Sequence, residues 1–277
     1  MGSIKAFIVA IGLAAVAPGV AAAADLLPPP PPPPVEPIVA APFSGWYLRG
    51  DVGVGVASIS DLRNSFDSNF TVVGDQFDSK SLGDSAFAGV GVGYQFNNWF
   101  HADVTGEYRT AGAYHTIESA IFTCGVVGVT RCHDNYTGSV SSAVFLANGY
   151  VDLGTWWGFT PFIGAGVGVA DNFFQGLTDM GEAGGFGFAQ NHSSLNFAWA
   201  AMAGIGYAIT PNLRLEIGYR HLDMGTAVSG PVICQNTPAC GHEVQRFALA
   251  SNDIRLGMRW IFAEVPPAPP PPVIAKY

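Results

Sequence analysis

Basic residues are scarce: 12 Lys and Arg stand against 21 Asp and Glu in 277 residues, a net charge of −9 at pH 7. A surface of that sign repels a phosphate backbone, so nucleic-acid binding is excluded. Charge of either sign is scarce as well, at 12% of residues, against roughly a quarter in ordinary soluble domains. Something other than water therefore solvates part of the chain, although 49% hydrophobic residues is not the composition of a disordered protein. After residue 24 no window approaches the ~18 uninterrupted apolar residues of a membrane helix. If the mature chain spans a membrane, it does so as a closed β-barrel. A G-x-S-x-G elbow and a C-x-x-C pair are also missing. The glycines at 89, 91 and 93 keep a spacing of two with no helix after them, which is not a dinucleotide fingerprint. No enzyme activity, cofactor or metal is expected.

The two ends read differently from the middle. Residues 1–24 have Lys5, an apolar stretch over 6–20 and four alanines, Ala21 to Ala24, as a small-residue exit: a signal peptide, too short to span a bilayer. Residues 25–44 carry an unbroken proline run over 28–34, and 263–277 carry a second proline-rich tail. In the polyproline form, at ~3.1 Å per residue, the segment 25–42 could reach on the order of 55 Å. It is either a spacer or a tether.

Between them, 45–262 is dominated by a period of two. Over 100–109 the small or apolar phase is Phe100, Ala102, Val104, Gly106 and Tyr108, against His101, Asp103, Thr105, Glu107 and Arg109. No helix sorts residues this way. Eight such segments occur, at 46–56, 86–96, 100–109, 143–153, 160–170, 195–209, 213–223 and 252–262. Each is about ten residues or a little more, the length a tilted strand needs to cross hydrocarbon. The connections alternate: short turns at 97–98, 154–158 and 210–212, long ones at 57–85, 110–142, 171–194 and 224–251. Short turns on one side and long loops on the other describe an outer-membrane barrel with periplasmic turns and surface loops. Five of six tryptophans, Trp46, Trp99, Trp156, Trp157 and Trp260, fall at the short-turn end, where an aromatic girdle sits. The expected fold is all-β: an eight-stranded antiparallel transmembrane barrel with proline-rich periplasmic tails.

The inward phase carries Arg49, Arg109, Arg214, Arg220, Arg255 and Arg259 against Asp51, Asp103, Glu107, Asp152, Glu216 and Asp253, six of each sign. An eight-stranded barrel is wide enough only for side chains to fill, so these charges should pair across the interior as a plug. The sharper alternative is an ion path gated at His101 and Asp103. Inward glycines make room for the large side chains of neighbouring strands. Four cysteines, Cys124, Cys132, Cys234 and Cys240, sit two by two in the second and fourth long connections. Three pairings are possible, and the local ones, 124 with 132 and 234 with 240, require no contact between distant loops.

The stretch Ala102-Asp103-Val104-Thr105-Gly106-Glu107-Tyr108-Arg109, the stretch Ile217-Gly218-Tyr219-Arg220-His221-Leu222-Asp223, and the closing 253–262 resemble small alphaproteobacterial outer-membrane proteins. That group is related to the 25 and 31 kilodalton antigens of Brucella and rhizobia and is often labelled porin family. The resemblance covers about 21–262. It implies structural and antigenic roles, outer-membrane lipid as surroundings, and assembly by the barrel-insertion machinery, which reads a terminal aromatic strand here matched by Trp260 and Phe262. Fifteen residues follow Phe262, a departure from that pattern. Relatives with an Ala-Asp start can be joined to peptidoglycan through it, which Ala24 and Asp25 match. The expected function is a non-enzymatic outer-membrane protein with a structural envelope role, long surface-exposed antigenic loops and an N-terminal candidate for linkage to peptidoglycan. A narrow channel for ions or small solutes is the alternative, and a lipid-modifying barrel enzyme stands behind both. No receptor for the loops can be read.

Overall fold

In the computed structural model, residues 44–65, 74–121, 131–182, 184–236 and 242–262 are described. The signal peptide, both proline-rich tails, Ala24, Asp25, Cys124 and Cys240 lie outside them. Eleven strands occur among the described residues: β1 (Gly45–Ser65), β2 (Gln76–Leu82), β3 (Ser85–Gln95), β4 (Phe100–Ala120), β5 (Cys132–Asp152), β6 (Phe159–Gly181), β7 (Phe186–Ala189), β8 (His192–Ala208), β9 (Leu213–Val228), β10 (Val232–Cys234) and β11 (Val244–Ile261). Eight of them close a ring in the order β1, β3, β4, β5, β6, β8, β9, β11, every pair antiparallel. Closure leaves no unpaired edge in hydrocarbon, which is what allows strands to cross it.

Local chemistry builds the short turns. The Asn97 side chain accepts from the backbone N–H of Trp99 and Phe100 at 3.0 and 2.8 Å, and the Thr210 hydroxyl accepts from Asn212 and Leu213 at 3.3 and 3.0 Å. The first and last strands end together, with Phe262 N–H donating to the Trp46 carbonyl at 2.8 Å. Around this end the rings of Trp46, Tyr94, Phe96, Phe100 and Trp99 touch in sequence at 5.2–5.8 Å, and Phe159 meets Tyr207 at 4.8 Å. Above that girdle the outward residues are apolar and exposed, as with Leu48, Val52, Val54, Val104, Ile163, Ile217 and Leu256. About ten residues on, Tyr108, Trp199 and Tyr219 form the other boundary of a band roughly 25 Å tall.

The long connections are corrected by the structure: most of 57–65, 110–120, 132–142, 171–181 and 244–251 is strand, continuing the ring as a crown beyond the band. The two-residue pattern fades there for two physical reasons. The outward face now meets water, so it no longer needs apolar residues. Bulges also shift the phase, between Ser60 and Arg63, Arg109 and Gly112, Thr137 and Ser139, and Ala248 and Ala250. Strands β2, β7 and β10 belong to the crown alone, β2 on β4 and β7 between β6 and β10. An apolar layer of Tyr114, Val140, Phe174, Met224, Phe247 and Leu249 fills its lower part, with Tyr114 stacked on Phe247 at 5.2 Å.

Glycine spacing is steric. Tyr47 pairs with Gly93 and Tyr150 with Gly164, and in each case the ring occupies the space a Cβ on the glycine would take. At Gly168 a Cβ would run into the backbone carbonyl of Phe145, whereas at Gly50 nothing lies within 4 Å. Gly168→Ala should therefore lower barrel stability by about 1–3 kcal/mol. Gly50→Ala should leave it unchanged. Urea midpoints of the lipid-refolded protein check the pair.

Candidate functional site

Inward side chains of the membrane-spanning part form three levels, the lower two joined through Glu216. Nearest the short turns, His101 stacks on Tyr150 at 4.6 Å and its Nδ1 lies 3.5 Å from Asp152, which has Arg214 at 4.0 Å. Arg259 donates to Gln95 at 3.1 Å and sits 3.0 Å from Glu216. In the middle, Arg49 holds Asp51 with two bonds of 2.8 and 2.9 Å, donates to Asp103 at 2.8 Å and to the Tyr150 hydroxyl at 3.1 Å, and reaches Glu216 at 3.2 Å. Arg255 approaches Asp51 at 3.6 Å, and Asn148 and Tyr47 donate to Asp103 at 2.8 and 3.1 Å. In the upper level Asp253 accepts from Arg109 at 2.9 and 2.7 Å, from Arg220 at 2.9 and 2.7 Å, and from Ser251 at 2.6 Å. Glu107 takes the rest of Arg220, at 2.7 and 2.8 Å.

All six carboxylates of this lumen thus meet a guanidinium or an imidazole. Aromatic rings complete the shell: Arg109 and Arg220 both lie over Phe87, at 4.9 and 4.8 Å, and Arg259 over Tyr47 at 5.1 Å. The arrangement is one-sided. Strands β5, β6 and β8 contribute Leu146, Phe162, Ala198, Ala200 and Met202 to the interior, a buried apolar side on which Asp152, at the end of β5, is the one lumen charge. A cavity of ≈20 Å³ beside Arg109, Ser142 and Ser251 has room for about one water. No nucleophile–base pair stands open to a substrate here, and the carboxylates have their bonds inside the network. Asp152 is the exception among the six, held by charge alone with neither of its buried oxygens accepting a hydrogen bond.

Sequence reading missed Tyr47, Gln95, Asn148, Tyr150 and Ser251 as members of the network. Their inward phase was available, but uncharged residues gave no separate signal. It also missed a second group in the crown, where Asn64 donates to Glu118 at 2.7 Å and to Glu243 at 3.1 Å, and the Tyr136 hydroxyl donates to Glu243. Cys132 opens β5 and Cys234 closes β10; neither is free, and the partners expected for them lie outside the described residues. Trp260 and Phe262 stand exposed on the outer wall at the short-turn end.

Removing one carboxylate from the upper level leaves two buried guanidiniums short of a counter-charge. Asp253→Asn should cost about 3–5 kcal/mol, read as a fall in the urea midpoint of the refolded barrel. A loss under about 1 kcal/mol would contradict the network's role.

Comparison with known proteins agrees with this architecture. An uncharacterized protein of Brucella abortus (strain 2308) is 35% identical over 208 residues, 68% of this chain and 70% of its own. The outer membrane protein PagN of Salmonella typhimurium is 28% identical over 224 residues, 79% and 90% of the two chains. A Rickettsia rickettsii protein whose name includes the word adhesin is 27% identical over 230 residues, 78% and 87%. With residues 8–262 matching the outer membrane protein beta-barrel domain, the chain belongs to that family and is a protein of the bacterial outer membrane.

Proposed function

We propose that this chain is a non-conducting, non-enzymatic barrel that carries its crown outward as a contact surface of the cell, with the short turns and both termini in the periplasm. The observation that carries this reading is an apolar patch on the outward face of β6, β7 and β10. Met180, Phe186, Phe188 and Ile233 are 60, 40, 38 and 38% exposed. Phe186 pairs with Met180 and Phe188 with Ile233, so the four side chains form one cluster. They lie about ten residues of strand beyond the lipid-facing band, where hydrocarbon cannot cover them, and a clustered apolar surface in water marks a place for a partner. The adhesin name of the Rickettsia relative points the same way. The filled lumen speaks against the narrow-channel alternative.

An envelope role accompanies this reading, as does a place beside the 25 and 31 kilodalton antigens. Linkage of Ala24-Asp25 to peptidoglycan, insertion through the Trp260 and Phe262 strand, and local disulfides at Cys124, Cys132, Cys234 and Cys240 belong to the same proposal.

Bacteria expressing the full chain should adhere to cultured epithelial monolayers. Phe186→Ser with Phe188→Ser should cut adherence at least fivefold at equal surface expression. Unchanged adherence would remove the patch from the function.

A further inference from the structure

The crown's carboxylates are held unlike those of the lumen. Below the apolar layer each of the six lumen acids meets a base. Above it, Glu118 on β4 and Glu243 just ahead of β11 meet only neutral donors, the Asn64 amide and the Tyr136 hydroxyl, and Asp179 on β6 stands across the β5–β6 pairing from Tyr136. Asn64 Nδ2 is shared between two carboxyl groups, Glu118 and Glu243. Glu118 is 3% exposed, and its Oε1, like Oδ1 of Asp179, has no donor.

Among the described residues no base bonds to the three acids, and His242, beside Glu243 in the chain, is exposed. From β5, Asp134 and Tyr136 face the group, and from the segment before β2 comes Asp75, against Glu118. His133 is engaged by Glu182 at 2.9 Å and lies 3.8 Å from Asp78. The Arg131 guanidinium donates to the carbonyls of Gly74 and Ser119. Arg63 on β1 and Arg246 on β11, a register pair, and Lys80 on β2 are exposed. None of the ion pairs among the described residues reaches Glu118, Asp179 or Glu243. Nor do three His, Cys, Asp or Glu side chains come together there as a metal would require.

One buried carboxylate, Glu118, and two half-buried ones, Asp179 and Glu243, gathered without a base stay together only if most of them are neutral. We propose that protons close the crown: Glu118, Asp179 and Glu243 join the upper parts of β1, β4, β5 and β6 as carboxylic acids, and losing those protons loosens that end of the barrel. Burial, reinforced by the neighbouring acids, acts in this direction on each. It raises Glu118 well above the usual carboxylate range, raises Glu243, and pushes Asp179 up to about 8. The sign follows. Acids raised by folding bind more protons folded than unfolded, so the crown is tightest in acid and weakens as pH climbs from the ordinary carboxylate range through about 8. The patch on β6 and β7 rides on the same strands, yet the inference stands whether or not that patch binds a partner.

Hydrogen–deuterium exchange of the full chain refolded in liposomes tests this, with rates corrected for the intrinsic pH dependence of exchange. Peptides covering 113–120, 132–140 and 174–181 should be at least tenfold better protected at pH 5.5 than at pH 8.5, while lipid-band peptides such as 100–109 stay unchanged. E118Q with D179N, which fixes the neutral form, should keep the crown protected at pH 8.5; should that pair fail to insert, E118Q alone should flatten the profile in part. Equal protection of the wild type at both pH values would overturn the proposal, as would a double variant that keeps the wild-type dependence. Restoration by calcium at pH 8.5 in the wild type but not in E118Q with D179N would overturn it too, replacing the proton by a cation.

Discussion

A charge inside a narrow closed barrel has no water to fall back on, and the pairing this forces organises the lumen. Asp253 binds Arg109 and Arg220 at once, Glu107 completes Arg220, and Arg49 ties Asp51, Asp103 and Glu216 together. Side chains of that length fit only where the facing strand gives way, which is why glycine stands opposite Tyr47, Arg49 and Asp51 along β3. Phe87 lies against two guanidiniums for the same reason: an aromatic face can adjoin a cation without asking for a hydrogen bond. Such a network contributes more to fixing one arrangement than to net stability, because desolvation offsets most of what the pairs gain.

How much of this was legible depended on what the outer face touches. Within the lipid band hydrocarbon demands apolar residues at every second position, so Val52, Val54, Val104 and Leu256 announced the strands, and Arg49, Asp103 and Asp253 announced the lumen between them. In the crown that demand ends. Residues 110–120 and 132–142 alternate between a wet outer face and a mixed inner one, with bulges that reverse the phase, and so they read as loops. Glu118, Asp134, Asp179 and Glu243 were hidden for the same reason, being far apart in sequence and joined only by the ring. The apolar half of the lumen was illegible on other grounds: along 143–147 both phases are apolar, and Val144 and Leu146 cannot be told from Phe145 without knowing which way each points.

Two charge regimes therefore share one barrel. In the lumen acids and bases balance and the interior is fixed; in the crown Glu118 and Glu243 are held by neutral donors, with no base on them among the described residues. An apolar layer around Tyr114, Phe174 and Phe247 separates the two, so a change in the crown is insulated from the wall that lipid supports. That division suits a protein whose business lies at its outer end.

The central claim is that the lumen is a filled support and not a path. Single-channel recording of the purified full-length barrel in planar bilayers, in 1 M-class potassium chloride, tests it most directly. The account predicts no reproducible conductance steps from the wild type. Uniform steps whose size changes on replacing Asp103 or Arg109 would contradict it and make the charged network a pore lining.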